Sequence, residues 1–371
     1  MSLSISSMGL VSSLGTDPDT AAAAFRAGLV RPRELDFPVL DEDANAQPVT
    51  GYPACGDYSS FFQFGLWIQL AGAALRGLVQ RGGLPGSEDR GYWDNILVVS
   101  SLPIWEEERF GYLLDKGPEP LKEFYLERAL AAASLQVKRE RLRFVGYGSC
   151  GPVQALSKSL QLLRMDPQAR VLLLEVDSYV DPDSLAWLAE RNRLKSPEIP
   201  FGLIPGQAGA CLLLEAPAVL AARKGRPEAF LENAAWRAAT PDPENNPREI
   251  AESLASVIRE VLQTTSKGRP FSGDIFLDLN GENWKAKAWA YAQILLQQEL
   301  DFAAMKTILP AEGFGETGIA FAPLAIILAA RAFARGYAGK GPVLIVCLSD
   351  NGETGAILVM APEAGPGSFH G

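Results

Sequence analysis

Two side chains able to act as nucleophiles stand side by side in a glycine-rich turn: Ser149 and Cys150, within Gly146-Tyr147-Gly148-Ser149-Cys150-Gly151-Pro152. The glycines permit a tight strand-to-helix turn, and Pro152 suits the first turn of a following helix. Backbone N–H groups and the positive end of a helix dipole converge at such a point, where they can lower a thiol pKa or hold an oxyanion. The same motif also fits an ordinary turn with a buried cysteine. What the sequence withholds is a base. Its one histidine, His370, lies in the small, polar run 365–371. Histidine titrates closest to neutrality, so the folded body offers no Ser-His-Asp triad, Cys-His dyad or histidine metal cage. A serine without a neighbouring base keeps its proton, whereas a helix N-terminus can by itself favour the thiolate of Cys150.

Other clusters carry less. Glu106-Glu107-Glu108 reads as the solvated start of a helix, and Lys138, Arg139, Arg141 and Arg143, interrupted by Glu140, as a solvated helix end. Trp284 and Trp289 read as packing residues of one helix. The four cysteines, at 55, 150, 211 and 347, form no CxxC pair and suit reduced thiols in the cytoplasm. No P-loop, dinucleotide fingerprint or metal-ligand spacing is present, so neither cofactor nor metal is expected. With 44 acidic against 34 basic residues the net charge is -10, which argues against nucleic-acid and anionic-membrane partners. The longest apolar run, 319–334, is broken by Pro323 and Arg331 and is too short to span a bilayer. Residues 1–15 lack the basic and apolar regions of a signal peptide.

The elements that must position Ser149 and Cys150 follow from periodicity. Phe64, Trp67, Ile68, Ala71, Leu75 and Leu78 recur at helical spacing, and 95–101 is an apolar run typical of a buried strand. Residues 142–147 read as a strand, 152–165 as a helix and 171–176 as another buried strand, a βαβ unit whose strands are parallel. A strand at 208–215 closes this half, and 221–227 reads as a linker. The second half repeats the pattern with strand 274–280, helices 284–297 and 320–335, and strands 343–348 and 354–360. The last two flank Asp350-Asn351-Gly352-Glu353, a hairpin signal. The expected division is 1–220 and 228–371. A hydrophobic content of 47% against 21% charged residues suits a folded chain too long for a single ordinary core.

Several segments, in order, resemble the β-ketoacyl synthases of the thiolase superfamily. Met8-Gly9-Leu10-Val11-Ser12-Ser13-Leu14-Gly15 resembles their opening GxGxVSPLG, and Phe25-Arg26-Ala27-Gly28 the helix end that follows. Gly148-Ser149-Cys150-Gly151-Pro152-Val153-Gln154-Ala155-Leu156 resembles their ACSSGLQAL elbow. Asp177-Ser178 with Asp181-Pro182 resembles the segment after the next strand. Pro200-Phe201-Gly202, with Gly206-Gln207-Ala208-Gly209-Ala210 and the strand beyond, resembles PFD…GEGAGALVLE. Asp278-Leu279-Asn280-Gly281 falls where the family has AHGTGT, and Gly315-Glu316-Thr317-Gly318-Ile319-Ala320 where it has GHxxGAAG. The resemblance implies an α/β protein of the thiolase type, five αβαβα layers built of two similar halves, working as a dimer. It also implies a cysteine that takes an acyl group from acyl carrier protein or coenzyme A, and two histidines that assist decarboxylation and condensation.

Carried over position by position, that chemistry is missing. Counting back from Gln154-Ala155-Leu156, the nucleophile position falls on Ser149, with Cys150 one step later. The histidine positions fall on Asn280 and, allowing a one-residue gap, on Glu316. Asn280 can donate a hydrogen bond but cannot exchange a proton, and a Glu316 carboxylate would repel an enolate unless burial kept it protonated. The family's GFGG loop is replaced by Ser349-Asp350-Asn351-Gly352-Glu353.

The first expectation is therefore a synthase-like protein of fatty acid or polyketide metabolism without condensing activity. It would act as an accessory, chain-length-factor-like or carrier-binding subunit, as a homodimer or paired with an active synthase. A second is an acyltransferase or thioester hydrolase using Cys150. A third is a structural dimer scaffold whose cleft is plugged by aromatics between 52 and 64 or by Trp105.

Overall fold

The structure, a computed structural model, describes residues 2–40, 45–58, 60–111, 117–238, 242–263, 270–339 and 341–362; His370 lies outside them. In chain order the strands are β1 (Leu3–Val11), β2 (Arg33–Leu40), β3 (Ala46–Gly51), β4 (Ile96–Leu102), β5 (Leu142–Tyr147) and β6 (Arg170–Ser178). They continue with β7 (Gln207–Glu215), β8 (Ala229–Arg237), β9 (Ile275–Leu277), β10 (Thr307–Ile308), β11 (Val343–Leu348) and β12 (Thr354–Met360).

Strands β2 and β3 form a separate hairpin, and the other ten make one sheet in the order β10-β9-β11-β12-β8-β1-β7-β6-β4-β5. The sheet is two five-stranded halves joined where β1 and β8 run antiparallel, Leu3 opposite Leu231 and Ile5 opposite Ala229. Within each half three strands are parallel: β6, β4 and β5 in the first, β11, β9 and β10 in the second. The crossover from β5 to β6 through helix Gly151–Met165 does join parallel strands, but β4 lies between them.

Strands buried on both faces carry apolar residues at odd and even positions, and each parity serves a different core. Val171 and Leu173 of β6 pack inward with helices Gly151–Met165 and Phe321–Ala334, together with Val343 and Ile345 of β11 from the other half. Leu172 and Leu174 point outward onto helix Gln63–Gly82. Leu344 and Val346 of β11 point outward onto helices Pro247–Leu262 and Asn283–Leu295. Helix, sheet, helix, sheet, helix: the αβαβα order follows from which parity is buried where. Trp284 and Trp289 both belong to the last of these cores.

Two sequence expectations are shortened. The strand expected over 274–280 is paired only over Ile275–Leu277, because the Asp278 carboxylate takes the Leu348 N–H and turns the chain out of the sheet. The linker expected over 221–227 begins inside a helical turn, Pro217–Ala222. Among the described residues all four cysteines are free, and no helix is long and apolar enough to cross a membrane.

Candidate functional site

The elbow forms where β5 meets helix Gly151–Met165. Gly146 and Gly148 have φ of 81° and 60°, the left-handed region that side-chain-bearing residues avoid. The turn is closed by hydrogen bonds from Gly148 N to Leu102 O and from Gly151 N to Gly148 O, both 2.8 Å. A Cβ at Gly148 would collide with Ser349 Oγ, so the approach of the elbow to the β11–β12 hairpin depends on that glycine.

Ser149 and Cys150 diverge from this turn. Ser149, 8% exposed, lines a cleft with Ile104, Arg109, Tyr179, Trp187 and Ser349. Cys150 is fully buried beneath it, its thiol 3.3 Å from Glu353 O and 3.6 Å from Cys347 O. Burial pushes the Cys150 thiol well above the ordinary cysteine range, with Cys347 and Glu353 adding to the effect. The helix terminus does not overcome that burial, so the thiolate is disfavoured.

Asn280 and Glu316 meet. Asn280 Nδ2 donates to Glu316 Oε2 at 2.5 Å and to Glu282 Oε2 at 2.8 Å, and Asn280 Oδ1 accepts from Glu282 N at 3.1 Å. Glu316 Oε1 accepts from Gly318 N at 2.7 Å. Beneath them lies Lys285, 1% exposed, with Nζ 3.1 Å from Asp278 and 3.6 Å from Glu316. Burial drives the Asp278 carboxyl up to about 7 even beside Lys285. Burial opposes the charge of Lys285, but Asp278 and Glu316 more than offset it and raise its pKa. Arg193 then ties Glu282, through two bonds of 2.6 and 2.9 Å, to Asp350 at 2.9 Å. Neither Asn280 nor Glu316 lines the cleft, which Asp350 and Ile319 do.

A second ion pair fills the cleft itself. Arg109 donates to Asp177 at 2.8 Å, to Ser178 O at 2.7 Å and to Ser184 Oγ at 2.9 Å, and its guanidinium stacks on Tyr179 at 4.2 Å. Burial lifts Asp177 to about 6 against the pull of Arg109. What remains is a cavity of about 20 Å³, room for a single water. The plugging aromatics are Tyr179 and Trp187, not those expected: Trp105 stacks on Phe110 at 4.5 Å, and the Tyr52 hydroxyl donates to Glu312 O. Among the described residues no three His, Cys, Asp or Glu side chains gather as a metal site.

Among solved structures, a ketosynthase from module 6 of the bacillaene synthase of Bacillus subtilis 168 matches with a TM-score of 0.74. Its sequence is 11% identical, and the match covers 98% of this chain and 73% of that one. The chain has the ketosynthase fold. The ishigamide ketosynthase/chain length factor matches at 0.72 and 17% identity over 97% of this chain and 99% of that one. A type II polyketide ketosynthase, solved with its acyl-carrier protein and bound to the hexaketide, matches at 0.72 and 13% identity over 97% and 99%. No protein-family model matches the sequence, and no curated protein does.

On this ketosynthase fold, three charged residues escaped the sequence reading. Lys285 shares helix Asn283–Leu295 with the exposed Lys287, and nothing local separates the two. Arg109 follows three glutamates that read as a solvated helix start, yet it is 3% exposed. Arg193 lies in a turn rich in polar residues. Asp350 was visible only as part of a hairpin.

Proposed function

We propose that the chain is a ketosynthase-like protein of polyketide or fatty acid metabolism that does not condense. It serves in the cytoplasm as an accessory, chain-length-factor-like or acyl-carrier-binding subunit. The observation that carries this reading is the Asn280–Glu316 hydrogen bond of 2.5 Å. The side chains at both histidine-matched positions are spent on each other and on Lys285, and neither reaches the cleft beside Ser149. Among the described residues no side chain accepts a hydrogen bond from Ser149, and Cys150 is held neutral beneath it. Strand β5 is an edge of the sheet, the kind of place where an active synthase or a second copy can add its own strand. The partnership of a similar ketosynthase with its acyl-carrier protein supports the carrier-binding part of the proposal.

The test is incubation of the purified protein with acyl-loaded carrier protein and malonyl thioester, followed by mass spectrometry of protein and products. Carrier binding with no adduct and no condensation product is expected. A β-ketoacyl product, or an acyl group on Ser149 or Cys150, would overturn the proposal. The cavity of about 20 Å³ also favours the scaffold reading, in which the fold serves only to dimerise. Failure to bind any loaded carrier protein would select it.

A further inference from the structure

Strand β6 carries a second buried carboxyl besides Asp177. Glu175 is fully buried, lies opposite Ala210 of β7, and is paired with no lysine or arginine among the described residues. What it touches is one residue of β4. Its Oε2 accepts from Ser101 N at 2.8 Å, and its Oε1 is 2.9 Å from Ser101 Oγ, which itself is 3.0 Å from Val145 O of β5.

These contacts stand where the ladder is broken. Strands β4 and β6 stop pairing at Val99 and Leu173, and between β4 and β5 two residues, Val145 and Gly146, oppose the single Ser101. Such a bulge bends the strand, here into the elbow, where a Cβ at Gly151 would lie 2.7 Å from Ser101 Cβ. Two side chains thus bridge three strands against the turn that presents Ser149.

The proton count fixes the direction of the bridge. A hydroxyl has one proton, and Ser101 Oγ has two oxygens within 3.0 Å. Val145 O can only accept, so both contacts are hydrogen bonds only when Glu175 is protonated and donates to Ser101. Every group is then satisfied: Oε1–H to Ser101 Oγ, Ser101 O–H to Val145 O, and Ser101 N–H to Oε2. Burial acts the same way and pushes the Glu175 carboxyl well above the ordinary carboxylate range, while the Ser101 N–H and hydroxyl pull it down and Asp177 pushes it up. Asp177, two residues along the strand, is the one charged group acting on Glu175 among the described residues, and Tyr125, in the helical turn Lys122–Glu127, is its other titratable neighbour. Strands β4 and β7 and helices Gln63–Gly82 and Gly151–Met165, all packed on β6, bring it no charge.

We infer that this bridge is a proton-operated clasp on the elbow. When the Glu175 proton leaves for solvent, the Ser101 hydroxyl turns to the carboxylate, Val145 O loses that donor, and the turn 146–151 loosens around Ser149 and Cys150. The clasp is closed in acid and at neutral pH, and it opens as pH rises through the folded-state value of Glu175. It concerns the shape of the elbow and does not depend on the absence of condensing activity.

The experiment follows two signals of the full chain against pH: the infrared C=O band of a protonated carboxyl, and the hydrogen-exchange protection of amides 146–151 corrected for intrinsic exchange. The band is expected to outlast the titration of Asp278 near 7 and to be absent from Glu175→Gln. As it is lost, protection of the turn should fall about ten-fold, the worth of one hydrogen bond, while β11 and β12 keep theirs. In Glu175→Gln the amide donates to Ser101 Oγ at every pH, so protection should stay flat; Ser101→Ala should lower it at every pH. No protonated carboxyl beyond the titration of Asp278, a band that persists until the protein unfolds, protection that survives loss of the band, or an equal fall in folded Glu175→Gln would each overturn the inference. The two wild-type signals decide it even where the variant does not fold.

Discussion

The two buried ionic clusters at this end of the sheet solve opposite problems. Around Arg109 one cation meets one carboxylate, Asp177, with backbone N–H groups of Ser178 and Ile319 completing the shell. Across the half boundary, Lys285 and Arg193 face four carboxylates: Asp278, Glu282, Glu316 and Asp350. The first cluster is balanced and fills a cleft. The second carries a surplus of negative charge, which only a bound proton or exact geometry makes tolerable in a protein interior. The two positions that match the family's histidines, Asn280 and Glu316, thus belong to a network whose stability depends on its own completeness.

Removing a cation from the surplus side should break the contrast most visibly. Lys285→Met leaves Asp278 and Glu316 without their ammonium and is expected to cost about 3–5 kcal/mol in urea denaturation. Arg109→Met strands one carboxylate where Lys285→Met strands two, so about 2–3 kcal/mol is expected. Adding Asp177→Leu should return most of that loss, as replacing both members of a buried pair often does. A larger loss for Arg109→Met than for Lys285→Met would reverse the ranking of the two clusters.

The pH dependence sharpens it further. Asp278 titrates near 7 in the folded chain against 3.8 for a free aspartate, so between those values the folded state holds a proton that the unfolded state has released. Its contribution is complete below about pH 4 and is lost as pH rises through 7. Over that window the wild type should lose about 3 kcal/mol more than Asp278→Asn. Parallel stability curves for the two proteins would show that Asp278 is not where the proton sits.

Smaller effects probe the elbow that borders both clusters. Gly148→Ala forces a side chain into positive φ and against Ser349, at about 1–2 kcal/mol, and Ser349→Gly in the same chain should recover the contact part. Last, Cys150 should resist thiol alkylation in the native protein, whereas Cys55, half-buried, reacts; fast labelling of Cys150 would reopen the acyl-enzyme reading.

The fold was legible because its evidence is spread over many residues. Strand β6 is apolar at every position from Val171 to Leu174, which only a strand covered on both faces requires, and Gly146 and Gly148 announce the turn by their type. The positions matching the family's active site were legible as places, through Gln154-Ala155-Leu156 and the loops at 280 and 316. What those side chains do was not. The pairing of Asn280 with Glu316 depends on a lysine one turn into a helix, and Arg109 is indistinguishable in sequence from a surface residue of Glu106-Glu107-Glu108. Burial of a single charge is a tertiary fact with no local signature.

Strand β1 sits at the centre of the sheet, buried along its whole length, with Val11 opposite Gly209 of β7 and Leu3 opposite Leu231 of β8. Both neighbours are made about 200 residues after it, a wait of some tens of seconds at about 5–20 residues per second on the ribosome. Through that interval Leu3, Ile5, Met8 and Leu10 have no sheet to enter and remain an unpaired apolar segment. The strand that locks the two halves together is therefore one that can pair on both sides only after most of the chain has been made.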